Sequence, residues 1–228
     1  MKKKKKIIIF SRSDSVFTIP LIYYICKNKS KNFNFEVLFH NTNFFRSLKI
    51  LLVILLFGSF FDLLKVFLKR KKVKDLKGLK NVQIIKKINN ANYDYGLSIN
   101  YPKKIKLENI KYKIYNFHLG NLINQRGSFV FFYKYKYNWG SIDLTLHRIS
   151  KKFDVGPIIN HRRIKNIKKM NPIKVLALYL NNLDFLVKSI DKIKNRKLIN
   201  KNNKILKANT EPKLYEIFSV FKKNILLI

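Results

Sequence analysis

A short run of β-branched and aromatic residues near the start of the chain limits its fold most strongly. Ile7 to Phe10 has the length and composition of a strand buried on both faces, which is typical of parallel sheets. Polar turn residues from Ser11 to Ser15 follow it, and a helix is predicted from about Val16 to Lys27. Further strands are predicted at Phe35–Phe39, Val82–Lys87, Tyr95–Ile99 and Lys113–Phe117. This alternation predicts an α/β fold, an open, mostly parallel, Rossmann-like sheet with helices on both faces.

The length of 228 residues allows one core with an appendage and is too short for two full domains. We expect a main domain over residues 1–165 and a helical extension over 166–228 that packs on the same domain. Apolar residues in the extension recur at helical spacing and predict one amphipathic helix: Ile173, Leu176, Ala177, Leu180, Leu183, Val187, Ile190 and Ile193. A small terminal helix is expected after Pro212.

The formal net charge of +37 is the most unusual feature of the composition. Such a charge normally indicates nucleic acid or an anionic surface as a partner. Here Lys, Asn, Ile, Phe and Tyr are all abundant while Arg is scarce, which favours a compositional bias as its origin. A nucleic-acid partner is therefore not expected, whereas an anionic substrate would still gain from the positive field.

Several classes of site are excluded by simple counts. The chain has seven glycines and no Gly-x-Gly-x-x-Gly sequence or phosphate loop after the first strand, which argues against a dinucleotide or ATP enzyme. Its four histidines are scattered, so no metal site is predicted. The single cysteine, Cys26, excludes an internal disulfide and lies in an apolar run typical of a core residue. The lysine-rich start lacks the apolar length of a signal peptide, and we expect a cytoplasmic protein.

The segment from Leu48 to Leu68 is strongly apolar and has three interpretations. Its longest uncharged run, Ile50 to Phe61, is shorter than the roughly 20 residues of a membrane span. It can form a buried helix or the face of a homodimer. It can also lie on an anionic membrane surface, where residues 48–72 as a whole would include a run of basic headgroup contacts at its end.

Three polar residues in the middle of the chain suggest a reaction. Asn116 and His118 are two positions apart, so an extended strand places both on the same face. Asp154 lies in a Phe-Asp-Val-Gly-Pro turn, in which Gly156 permits unusual backbone angles and Pro157 ends regular structure. An amide, an imidazole and a carboxylate that converge are suited to acyl transfer to an amine.

This block resembles the motif of the folate-dependent formyltransferases. The family's motif runs roughly Asn-x-His-x-Ser-x-Leu-Pro, then Arg-Gly, then Thr-x-His, then Asp-x-Gly-Pro-Ile. In this chain it corresponds to Asn116, His118, Leu122, Arg126, Gly127, Thr145, His147, Asp154, Gly156, Pro157 and Ile158. The segment Tyr93–Ile99 and the first strand, turn and helix are also similar to the family, both to the methionyl-tRNA formyltransferase catalytic domain and to sugar N-formyltransferases.

The resemblance implies that residues 1–165 form a catalytic domain that transfers a formyl group from 10-formyltetrahydrofolate to a primary amine. It implies that Asn116 binds the formyl oxygen and that His118 stabilises the oxyanion and relays a proton. Asp154 would orient His118 and help to remove the ammonium proton. The remaining residues that it implies are Ser98, Ile99, Asn100 and Gly156 for folate, and Arg126 and Trp139 for the acceptor.

The acceptor expected from the resemblance is a nucleotide-linked amino sugar used in surface-glycan (lipopolysaccharide) synthesis. Methionyl-tRNA formyltransferases carry a further domain of about a hundred residues, for which this chain has no room. Alternatives are initiator tRNA, glycinamide ribonucleotide, or a non-catalytic relative that binds membranes or nucleic acid. Attachment to the inner membrane face would suit the sugar interpretation.

Three positions depart from the family's motif. Gly120 and Ile123 replace its Ser and Pro, and Asp143 replaces a Gly, which predicts a reshaped loop around the acceptor.

Four further residues have two interpretations each. Arg126 can bind a phosphate or carboxylate of the acceptor or tie the loop by backbone hydrogen bonds. His147 and Thr145 share one face of a segment with period-two alternation, where a supporting or packing role is favoured. Trp139 ends a run of alternating Tyr and Lys residues that is expected to form a helix face over the sheet, although its ring could stack on the acceptor.

Overall fold

The computed structural model describes residues 3–57, 60–68, 71–88, 92–108, 110–152, 154–195 and 207–225. Within these residues one sheet contains seven strands: β1 (Lys5–Ser11), β2 (Phe33–Phe39), β3 (Val82–Ile85), β4 (Tyr95–Ile99), β5 (Ile114–Leu119), β6 (Ser141–Arg148) and β7 (Ile158–Lys165). Their spatial order is β3-β2-β1-β4-β5-β6-β7. The first five strands are parallel, while β6 and β7 are antiparallel. The predicted α/β fold with a mostly parallel sheet is confirmed.

The helices connect the strands and close the end of the chain: α1 (Thr18–Asn28), α2 (Phe44–Leu56), α3 (Phe60–Leu68), α4 (Val73–Lys77), α5 (Val130–Lys136), α6 (Pro172–Leu176), α7 (Leu183–Asn195) and α8 (Leu214–Ile225). The last two pack on the main domain, since α7 contacts β7 and α1, while α8 contacts α5 and α2. The division of the chain at residue 165 stays a prediction.

The two faces of the sheet are covered differently. Ile7 and Ile9 of β1 pack into the large core that α1, α5 and α7 cover. Ile8 and Phe10, which point the other way, pack into a smaller core covered by apolar residues of the segment 101–112. Ile114 also belongs to the smaller core. Asn116 and His118 continue the same face of β5, so the candidate site lies on the face covered by this segment.

The prediction of one continuous helix from Ile173 to Ile193 is wrong, because the structure divides this stretch into two helices. Asn171 accepts the main-chain N–H of Lys174 and begins α6, whose first residue is Pro172. The helix ends at Leu176, and a 3₁₀ turn over Leu180–Asn182 precedes α7. Helical periodicity survives because a 3₁₀ turn keeps apolar residues at a similar spacing.

The apolar segment 48–68 forms two helices rather than one, and the buried-helix interpretation holds only for one side of the first, while the dimer and membrane interpretations stay predictions. None of the residues of α3 is buried, and only Val53 and Ile54 are buried in α2. Among the described residues, a single helix long and apolar enough to cross a membrane is not found. The stretch Phe44–Leu56 with Phe60–Lys77 passes that test only as a pair bent by 120°. Lys69 and Arg70, part of the expected headgroup contacts, lie outside the described residues.

Candidate functional site

The pairing of β5 with its two neighbouring strands brings several polar side chains of the candidate site together. Strand β5 lies between β4 and β6, and its pairing sets Ser98 beside Asn116 on one side and His147 beside Asn116 on the other. His118, two residues further along β5, is paired with Thr145. Side chains at paired positions share a face of the sheet, so a polar row crosses three strands at this point.

Asp154 reaches this row from the turn between β6 and β7. Its carboxylate accepts the main-chain N–H of Gly127 at 2.8 Å, and its main-chain carbonyl accepts Nε of Arg126 at 3.0 Å. The backbone of Asp154 itself adopts the left-handed region, with φ of 49°. The prediction that Gly156 supplies the unusual angle is therefore wrong. Gly156 is required by a close approach instead, because an added Cβ would overlap the carbonyl oxygen of Arg148.

Three side chains surround the Asp154 carboxylate at similar distances. Oδ1 lies 3.4 Å from Nδ2 of Asn116 and 3.4 Å from Nε2 of His147. Oδ2 lies 3.5 Å from Nδ1 of His118. The structure thus brings together the three residues that the sequence singled out, Asn116, His118 and Asp154, and adds His147 as a fourth.

The protonation of the two imidazoles follows from their other contacts. Nε2 of His118 lies 2.7 Å from the carbonyl oxygen of Gln125, and Nδ1 of His147 lies 3.1 Å from that of Arg148. A carbonyl and a carboxylate both only accept, but each ring lies closer to the carbonyl than to Asp154, so the nitrogen at the carbonyl carries the proton of the neutral ring. Each neutral ring therefore directs its unprotonated nitrogen toward Asp154. The cluster has room for one additional proton between the carboxylate and a ring.

Burial and neighbouring charge set the ionisation of this cluster. Burial disfavours the charged form of Asp154, but His118, His147 and the N–H of Gly127 outweigh it and hold the pKa of Asp154 well below its usual range. Burial lowers the pKa of His118, and the nearby carboxylate only partly offsets this. At neutral pH the site therefore contains an ionised Asp154 and a neutral His118.

The loop that departs from the family motif closes over His118. Gly120 has φ of 138°, and an added Cβ would overlap the carbonyl oxygen of Gln125 and lie 2.8 Å from Nε2 of His118. Gln125 is buried, and its side chain accepts the N–H of Asn121 at 3.1 Å. The hydroxyl of Tyr179 donates to the carbonyl of His118 at 2.6 Å. The glycine thus allows the tight loop that fixes the imidazole.

A cavity of about 1120 Å³ opens in front of the cluster. Five of the residues expected at the site line it: Ser98, Asn100, Asn116, His118 and Asp154. Cationic residues outnumber acidic ones among its described lining residues, with Arg12, Arg46, Lys103, Lys104, Lys106, Lys151 and Lys152 against Asp14, Glu108, Asp154 and Glu211. The cavity is therefore suited to an anionic ligand.

Four expected residues do not line this cavity. The carbonyl of Ile99 accepts the hydroxyl of Ser11 at 2.7 Å, and Gly156 lies against Arg148. Arg126 is buried and holds the turn by its bond to the carbonyl of Asp154, as the loop-tying interpretation expected.

Trp139, the second residue expected at the acceptor, lies away from this cavity. Its ring packs against Tyr137, 5.8 Å between centroids, and against the large core. Trp139 lies beyond the carboxyl end of α5 and outside the cavity lining, so its role at the acceptor stays a prediction.

His147, for which a supporting role was favoured, contacts Asp154, and Asn209 was missed by the sequence reasoning. His147 contacts Asp154 because β6 runs antiparallel to β5, a pairing that its alternating pattern alone could not reveal. Asn209 pairs through its main chain with Arg126 and Ser128 and lines the cavity. Its buried Nδ2 atom has no hydrogen-bond partner in the described part of the chain. No local sequence signal marks Asn209.

A metal centre receives no support from the described residues, since they contain no group of three His, Cys, Asp or Glu side chains placed to hold an ion.

Comparisons with known proteins place the fold. No family model and no curated protein sequence matches the chain. Among solved structures it is similar to a 4-N formyltransferase from Francisella tularensis, with a TM-score of 0.58, 18% identity, and coverage of 90% of this chain and 76% of that one. It is similar to the phosphoribosylglycinamide formyltransferase of Anaplasma phagocytophilum, with a TM-score of 0.61, 13% identity, and coverage of 93% and 98%. A third is WlaRD, a sugar 3N-formyltransferase solved in the presence of dTDP and 5-N-formyl-THF, with a TM-score of 0.60, 18% identity, and coverage of 91% and 69%.

Proposed function

The chain has the formyltransferase fold, and we propose that it transfers a formyl group from 10-formyltetrahydrofolate to a primary amine of a nucleotide-linked amino sugar. The observation that carries the proposal is the meeting of Asn116, His118 and Asp154 at the end of β5, on the wall of a large cavity. The three solved structures compared above are formyltransferases, among them the WlaRD structure obtained with a formylated folate.

The cavity fits a folate by size and by the chemistry of its walls. Ile50, Ile54 and Phe129 supply apolar surface, and Ser98 and Asn100 supply polar groups at the carboxyl end of β4. A flat ring with hydrogen-bonding edges needs both kinds of surface. The folate supplies the formyl carbon, and the protein has to position it and manage charge and protons.

Asn116 is placed to stabilise negative charge on the formyl oxygen. Its amide nitrogen contacts Asp154 and His147 at 3.4 and 3.3 Å. Both distances are long for N–H bonds, so a closer oxyanion competes effectively for the same protons. Donors that face developing charge in a site shielded from water are the strongest single contribution to acyl transfer.

His118 and Asp154 provide the place for the amine's proton. When the amine nitrogen bonds to the formyl carbon it loses one proton, which Nδ1 of His118 accepts beside the Asp154 carboxylate, 3.5 Å away. The proton then passes to the nitrogen that leaves the formyl carbon. The transfer consumes no net proton, and the ionised Asp154 stabilises the imidazolium while it exists.

The preference for a sugar nucleotide rests on charge and on the neighbours. The excess of cations among the lining residues suits a diphosphate as well as the glutamate part of a folate. Two of the similar structures are N-formyltransferases of the 4-N and sugar 3N types, the latter solved with dTDP. The similarity to phosphoribosylglycinamide formyltransferase makes glycinamide ribonucleotide the alternative acceptor.

The test is mass spectrometry of acceptors after incubation with 10-formyltetrahydrofolate. The panel contains amino-sugar nucleotides, glycinamide ribonucleotide and methionyl-tRNA, and His118→Ala serves as the inactive variant. We expect a formyl adduct on one amino-sugar nucleotide that the variant does not form. An adduct on glycinamide ribonucleotide or methionyl-tRNA alone would replace the proposed acceptor, and failure to bind the folate would refute the proposed chemistry.

A further inference from the structure

Exposed apolar side chains are concentrated on two helices that border the cavity. Among the described residues, ten of the fifteen large exposed apolar side chains belong to α2 and α3. We call them the apolar ridge: Phe44, Phe45, Leu48, Leu51, Leu55, Phe60, Phe61, Leu64, Phe67 and Leu68. Exposed apolar side chains that are clustered in this way commonly mark a surface that contacts another molecule.

The helical spacing shows that the ridge is one face of each helix. In α2 the members Phe44, Leu48, Leu51 and Leu55 follow each other at intervals of four, three and four residues. The opposite side of α2 carries the buried Val53.

Helix α3 has the same division. Leu63 and Val66 pack inward against a third apolar cluster, which contains Ile173. In contrast, Phe61 and Leu68 are each 76% exposed. Both helices therefore turn a complete apolar face away from the protein.

The charges around the ridge are almost entirely positive. Residues 44–77 contain two carboxylates, and both are engaged within the protein. Asp62 accepts the amide of Asn171 at 2.6 Å, and Asp75 accepts the main-chain N–H of Lys72 at 2.6 Å. Lys65 is exposed on α3, and Lys71, three residues after α3 ends, is also exposed, with its Nζ 4.9 Å from the centre of the Tyr23 ring. An occupant of this surface has to combine an apolar layer with negative charge.

We propose that the apolar ridge docks on an anionic lipid surface. Aromatic and leucine side chains would enter the boundary between headgroups and acyl chains, and the lysines would contact the headgroups. A second copy of the chain fits less well, because it would bring another formal charge of +37 to the same place. The proposal does not depend on the proposed reaction.

Docking would also set the position of the cavity. Leu51 belongs to the ridge and lines the cavity, and its neighbours Arg46 and Ile50 line it as well. The ridge therefore begins at the rim of the cavity, and a docked protein holds this rim at the lipid surface.

The test has to separate insertion of the ridge from general attraction of a basic protein. Cys26 is buried, and burial raises the pKa of its thiol, so a single introduced cysteine can be labelled selectively. An environment-sensitive dye is attached to Phe61→Cys on the ridge and, as a matched control, to Phe218→Cys, which is 50% exposed on α8. Vesicles of phosphatidylcholine with and without phosphatidylglycerol are then added.

We expect a blue shift and quenching by lipid-attached quenchers at position 61, only with phosphatidylglycerol, and none at position 218. In the unlabelled protein, Phe61→Ser combined with Leu68→Ser should weaken binding by about tenfold or more, whereas Tyr215→Ser with Phe218→Ser should leave it within about twofold. Vesicle binding with the dye at position 61 still in water overturns the proposal, as does equal insertion into phosphatidylcholine alone. A dimer in solution that the ridge substitutions dissociate would assign the surface to a second copy instead.

Discussion

Replacing Gly156 with Ala tests how the Asp154 turn is held. The new Cβ would overlap the carbonyl oxygen of Arg148 and lie 2.8 Å from its carbon, where ordinary contact requires about 3.5 Å or more. Because the oxygen itself lies only 1.6 Å from the new Cβ, the two backbone segments must move apart by about 1.5–2 Å. That movement strains the bond from the N–H of Arg148 to the carbonyl of Pro157, 2.9 Å long, and displaces the carboxylate of Asp154 from its partners.

The expected cost is about 3 kcal/mol of unfolding free energy, from one weakened backbone bond and a strained turn. For a chain of this length it corresponds to a fall in melting temperature of about 6–12 °C. The matched control is Gly140→Ala, because the nearest atom to its added Cβ is Cε of Lys168 at 3.6 Å, the end of a flexible side chain. Thermal unfolding followed by circular dichroism should show Gly140→Ala unchanged or slightly stabilised. Equal melting temperatures for the two variants would refute the close approach.

Three further predictions concern the loop and the buried bases. Gly120→Ser, which introduces the family's residue, should cost about 2–3 kcal/mol in denaturant unfolding, because its Cβ overlaps the Gln125 carbonyl that holds His118; an unchanged midpoint would contradict the tight loop. Folding lowers the pKa of His118, so as the pH falls the imidazole is protonated more readily in the unfolded chain. The free energy of unfolding should therefore fall as the pH drops below about 6.5. Denaturant unfolding at several pH values should show a smaller loss in His118→Gln, and an equal loss would contradict the burial of a neutral imidazole. Burial lowers the pKa of Lys134 to about 8, so stability relative to Lys134→Met should rise between that pH and about 10.5, and a flat difference would show that the amine is not desolvated.

The parallel half of the sheet was predictable from local patterns. The runs that became β1, β2 and β4 are short, apolar and bounded by turns, which is sufficient to identify strands buried on both faces. Strands β6 and β7 were not predicted. The sequence of β6 shows an alternating pattern, but no local feature indicates that the chain reverses direction before β6 and again before β7. The exposure of α3 was not predictable either, because an apolar sequence normally indicates a buried helix, whereas no residue of α3 is buried.

The candidate site was predictable to the extent that its residues follow a linear motif. Asn116, His118 and Asp154 were found in this way, and the structure brings them together. The motif also contains His147, but its place beside Asn116 and Asp154 depends on the pairing of β6 with β5. Asn209 joins the site through pairing between distant segments, which no local pattern of the sequence encodes.

The central claim is that the ionised Asp154 beside His118 manages the amine's proton, and kinetics of two asparagine variants test it most directly. Asp154→Asn removes the charge at the site, and Asp143→Asn makes the same change at a buried carboxylate that pairs with Arg163 instead. With the acceptor found in the panel, we predict that kcat/KM falls by about 10²–10⁴-fold in Asp154→Asn, with folate binding retained, and stays within about threefold in Asp143→Asn. Equal kcat/KM for wild type and Asp154→Asn would contradict the account.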